Sequence, residues 1–110
     1  MFFTCLSFTG CKESAKSAGI NKNFKGALYY HQNELEKAEG EFLDAFETAS
    51  EKENRLYMDY GAYNLSATYL LANEDEAALS RLGQISEEAN NEIKFAAFFN
   101  AGVISFKKGN

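Results

Sequence analysis

The side chains that could do chemistry in this chain are few and dispersed. His31 is the only histidine, and both cysteines, Cys5 and Cys11, lie near the N-terminus, away from the other polar clusters. A transition-metal site gathers several His and Cys ligands at short spacings, so this composition excludes one in practice. Three carboxylate pairs stand out: Glu34 with Glu36, Asp75 with Glu76, and Glu87 with Glu88. General acid–base work needs a carboxyl that is enclosed and displaced from its ordinary pKa. These pairs fall at helix starts or on polar faces, where capping and solubility account for them. The glycines are isolated, with no phosphate-cradling loop. No catalytic residue, metal or cofactor is expected, and the protein reads as not an enzyme.

Charge and composition narrow the class further. The chain has 110 residues, one domain at most, and a net charge of −5. Residues 34–54 hold eight acidic and two basic side chains, whereas the first 25 residues hold four lysines against Glu13 alone. An acidic body repels phosphates, so nucleic acid is not an expected partner. The acidic run interleaves with Leu35, Ala38, Phe42, Ala45, Phe46 and Ala49, as the solvated side of an amphipathic helix does.

Residues 1–11, MFFTCLSFTGC, differ from everything after them. A short apolar stretch closing on small residues has the form of a secretory signal. The run Phe8-Thr9-Gly10-Cys11 resembles the lipobox of bacterial lipoproteins, which implies lipidation of Cys11, removal of residues 1–10 and a lipid anchor at the cell envelope. Two other readings stay open: an apolar tail packed on the first helix, and a disulfide between Cys5 and Cys11. Without a signal the location would be cytoplasmic. Outside this stretch no run approaches the roughly 18 apolar residues of a membrane span.

Proline is absent and β-branched residues are sparse, which favours an all-α fold. Apolar residues recur at three- and four-residue steps, as in Leu35, Ala38, Phe42, Ala45 and Ala49, and in Ala78, Leu82 and Ile85. The periodicity predicts helices over 20–31, 34–51, 55–72, 74–89 and 92–108, after a tether at 12–18. Asn33 before Glu36 and Asn73 before Glu76 have the spacing of a capping box at the second and fourth helices.

The helices also repeat. Aligned without gaps, the segments beginning at Gly19, Asp59 and Phe95 place Gly26, Ser66 and Gly102 together, at offsets of 40 and 36. The three copies supply Gly26, Tyr29, Tyr30, Asn33, Ala38, Phe42 and Ala45; then Tyr63, Asn64, Leu65, Ser66, Tyr69, Asn73, Ala78, Leu82 and Ile85; then Phe98, Phe99, Asn100, Ala101, Gly102, Phe106 and Gly109. This pattern resembles the tetratricopeptide repeat (TPR). The resemblance covers residues 19–110, as repeats over 19–58, 59–94 and an incomplete 95–110. It implies antiparallel helical hairpins stacked as an α-solenoid, with the small residues where paired helices approach and aromatics between hairpins. The offsets exceed the usual repeat length of about 34 and the family's proline is missing, which implies second helices about one turn longer.

Such arrays hold other proteins. By the resemblance, the concave groove is lined by Tyr30, Tyr60, Tyr63, Leu70, Phe99, Val103 and Phe106, with Asn64 and Asn100 at its edge to meet a bound backbone. The expected function is a non-catalytic scaffold or adaptor at a bacterial envelope, binding an apolar or helical segment of another protein. The alternatives are a structural oligomerisation module or an accessory domain of a longer envelope or transport protein. The third repeat has no second helix over Phe98 and Gly102. A fragment of a longer array, or self-association through this repeat, would both follow from that.

Overall fold

The computed structural model describes residues 14–109, with side chains from Lys22 onward. Five helices follow one another: α1 Ser14–His31, α2 Leu35–Glu51, α3 Arg55–Leu71, α4 Asp75–Leu82 and α5 Asn91–Lys107. The expected all-α architecture is what forms. α1 begins at Ser14, so residues 14–18 of the expected tether are helical. The segment 1–11, with Cys5, Cys11 and the signal reading, lies outside the described residues.

The first three connections share one device. Asn33, Glu53 and Asn73, twenty residues apart, take positive φ angles of 62°, 54° and 63°. At each, the next residue's amide donates back to the carbonyl five residues earlier: Glu34 to Tyr29, Asn54 to Ala49 and Glu74 to Tyr69, at 2.8–2.9 Å. That is the Schellman ending, in which a left-handed residue satisfies the orphan carbonyls of the preceding helix. Asn33 and Asn73 thus end α1 and α3 instead of capping α2 and α4. The N-caps there are Glu34 and Glu74, which make no side-chain cap hydrogen bond. The capping asparagines are Asn54, accepting from the Tyr57 amide, and Asn90, accepting from the Ile93 amide.

The extensive contacts run α1 to α2, α2 to α3 and α3 to α4, while α3 also touches α1 and α5. α1, α3 and α5 therefore form one row, with α2 and α4 beside it. Tyr57 and residues 59–68 of α3 are buried, so α3 is covered on all sides. One apolar cluster joins it to α1 and α2 through Ala27, Ala38, Phe42, Leu65 and Ala67. Another joins it to α5 through Tyr60, Tyr63, Ala89, Ile93 and Ala96. Burying a side chain such as Phe42, Tyr63 or Leu65 contributes about 1.5–3 kcal/mol each.

The small residues fall largely where the repeat alignment puts them. Gly26 lies under the ring of Phe42, and Ser66, Ala38 and Ala78 are buried. Gly61, a close approach not legible from the alignment, leaves room for the Cα of Phe46. Gly102 departs from the pattern: among the described residues no neighbouring atom lies within 4 Å of the position of its missing Cβ.

The fourth helix also departs from expectation. It ends at Leu82 rather than near residue 89, and residues 83–90 form turns. Gly83 weakens the helix there, and α3 captures the chain that follows. The buried Asp59 carboxylate accepts from the Ser86 amide at 2.9 Å and from Arg55, whose guanidinium also donates to the Gln84 carbonyl at 2.7 Å. The longer second helices implied by the repeat spacing are therefore not uniform: α2 has 17 residues and α4 has 8.

Candidate functional site

The nine residues expected to line a binding groove separate into interior and surface sets. Tyr60, Tyr63, Asn64 and Asn100 are buried. Tyr60 and Tyr63 pack with Ile93 and Ala96 between α3 and α5, and Asn64 donates to Asn23 Oδ1 at 3.2 Å. These four cannot meet a partner without separating helices, so they belong to the core and not to a groove. Tyr30, Leu70 and Val103 are half-buried, with Tyr30 edge-on to His31. Phe99 is 38 % exposed and Phe106 84 % exposed. The rings available to a partner are therefore those of α5.

α5 is apolar on both sides. Ile93, Ala96, Asn100 and Ile104, at steps of three and four, face the core. Opposite them lie Phe95, Phe98, Gly102 and Phe106, with the three rings 69 %, 77 % and 84 % exposed. A helix that is hydrophobic all round belongs in an interior, and α3 shows how such a helix is covered. Shifted by the 36-residue repeat, Phe98 and Gly102 correspond to Ala62 and Ser66, which are fully buried in α3. No described helix covers the equivalent face of α5.

Beside this stripe runs a groove of about 400 Å³ between the end of α4 and α5, lined mainly by Leu79, Leu82, Ile85, Ala97, Phe98 and Ala101. It exists because α4 stops early, leaving α4 and α5 only lightly in contact. The two helices are tied at the far end, where Lys107 meets Asp75 at 2.9 Å and Lys108 meets Glu76 at 2.7 Å. The hydrogen bond to Glu76, and then its charge, raise the Lys108 ammonium pKa above its ordinary value. Asp75 and Glu76 are thus engaged in these pairs, and Glu34 is held by Lys37 at 2.9 Å.

Among the described residues no group of His, Cys, Asp and Glu could hold a metal ion, and no helix is long and apolar enough to cross a membrane. The site offers ring faces and aliphatic surface, whose chemistry is the burial of apolar area against another surface. Phe98 and Gly102 are open because no described helix lies over them. Phe95 also turns outward, and the signal for that in the sequence is an α5 with apolar residues on two opposite faces. No protein-family model, curated protein or solved structure matches this chain.

Proposed function

We propose that this protein is a non-catalytic protein–protein interaction module whose contact surface is the outer face of α5 with the adjoining α4–α5 groove. The observation that carries the reading is the stripe Phe95, Phe98, Gly102 and Phe106, three exposed rings around an open glycine. Contiguous apolar surface of this kind marks interaction sites, and aromatic anchors dominate the binding energy of such patches. The expected occupant is an apolar or amphipathic helix, because α2 and α4 are what cover the corresponding faces of α1 and α3.

A photo-crosslinking amino acid at position 98, incorporated in the native host, tests this. Adducts with a polypeptide at position 98, and none at the exposed Gly40 on α2, are expected. No adduct at position 98 would refute the reading. The lipid-anchored location at a bacterial envelope belongs to the same proposal and rests on the sequence around Cys11 alone. Labelling with a fatty-acid analogue should mark the protein and fail on Cys11→Ala, while an unlabelled protein that retains Met1 would remove that part.

A further inference from the structure

We infer that the occupant of the α5 face is a second copy of this chain, packed antiparallel about a two-fold axis at Gly102. The inference rests on the proposed interaction surface and names its partner. Residues four apart share a helix face, and Phe98 and Phe106 lie four residues to either side of Gly102. An antiparallel pairing centred on Gly102 therefore sets Phe98 opposite Phe106 of the second copy, and Phe106 opposite its Phe98. The same register sets Phe99 opposite Ser105, and Phe95 opposite Gly109 just past the end of α5, so large faces small on either side of the Phe98–Phe106 ring pairs. A two-fold interface must be self-complementary in this sense.

Gly102 lets the two backbones approach at the crossing, since no atom of the described residues lies within 4 Å of the place its Cβ would take. The stripe holds no charged side chain. The lysines at its C-terminal end do not oppose pairing either, because Lys107 and Lys108 are paired to Asp75 and Glu76 within their own chain. The area is of the order a dimer needs. At about 200 Å² for each aromatic side chain, Phe95, Phe98 and Phe106 offer roughly 450 Å² per copy. Two copies would bury about 900 Å² from these rings alone, close to the ~1,000 Å² that separates specific interfaces from incidental contacts.

The test is sedimentation of the full chain from about 1 µM to about 1 mM, a range that covers weak and moderate dimers. A concentration-dependent rise from the 12.3 kDa chain mass to twice that value is expected. Phe98→Glu and Gly102→Leu should each weaken the dimer at least tenfold with unchanged circular dichroism, since both positions are exposed. In a Cys5→Ser, Cys11→Ser background, Gly102→Cys should form an intermolecular disulfide under mild oxidation, and Gly40→Cys should not. A single monomeric species throughout, or a dimer indifferent to Phe98→Glu and Gly102→Leu, would overturn the inference. A monomer whose position-98 crosslinker captures a different polypeptide would end the self-pairing and leave the interaction surface standing. A monomer with no adduct would end both.

Discussion

The ring of Phe42 lies over Gly26 so closely that a Cβ on the glycine would stand 2.5 Å from Cε1. Phe42 is fully buried, so its ring has nowhere to retreat. Gly26 is thus the point at which α1 admits α2, and Gly102 is the aligned position on a helix with no described residue opposite it. Gly26→Ala should destabilise the fold by about 1–3 kcal/mol, as overpacking does. Gly102→Ala should stabilise it by about 0.5–1 kcal/mol, because an exposed helical glycine only costs backbone entropy. Urea melts at concentrations where the chain is monomeric would show the opposite signs, and equal effects would refute the contrast.

Asn64 and Asn100 form a second pair of equivalents with different outcomes. Asn64 Nδ2 donates to Asn23 Oδ1 at 3.2 Å, whereas the buried Nδ2 of Asn100 has no hydrogen-bond partner among the described residues. Asn64→Leu should cost about 1–3 kcal/mol, because it removes a buried hydrogen bond. Asn100→Leu should leave stability unchanged or raise it by up to about 1 kcal/mol, because it removes a desolvated, unsatisfied donor. Thermal denaturation of the two variants side by side decides this.

Glu53 ends α2 at a φ of 54°, in the left-handed region where its neighbours in the series use asparagine. A side chain with a Cβ is strained there by about 1–2 kcal/mol. Glu53→Gly should therefore raise stability by about 0.5–1 kcal/mol, and Glu53→Asn by less. A variant no more stable than the parent would show that the turn is not limited by that strain.

Tyr69 carries a pH signature. Its hydroxyl donates to Glu39 at 2.8 Å, joining α3 to α2. Burial first, and the hydrogen bond and charge of Glu39 next, raise its pKa above the ordinary value of 10.0. The folded state therefore holds this proton more tightly than the unfolded chain. Its contribution to stability is complete below pH 10.0 and is lost as the pH rises through the folded-state value. Absorbance at 295 nm should contain a late-titrating tyrosinate that disappears in Tyr69→Phe, and the stability of that variant should fall less steeply above pH 10.0.

The sequence by itself determined the helices and most of their inward stripes. Ala38, Phe42, Ala45 and Ala49 recur at the helical period, and all four are buried in α2. Gly26 is legible as a close approach from its alignment with Ser66. Asn33 and Asn73 differ from expectation for a local reason. Asparagine suits both an N-cap and a left-handed C-terminal position, and only the backbone angle distinguishes the two. For Tyr60 and Tyr63 the difference from expectation is tertiary. Their spacing places them on one face of α3, but that face is interior because α5 and the 83–90 turns pack against it, guided by Asp59 reaching Ser86 twenty-seven residues away. Gly26 and Gly102 are the same residue in the same register. What surrounds each is decided by whether another helix packs there, a long-range contact that residue type and spacing do not encode.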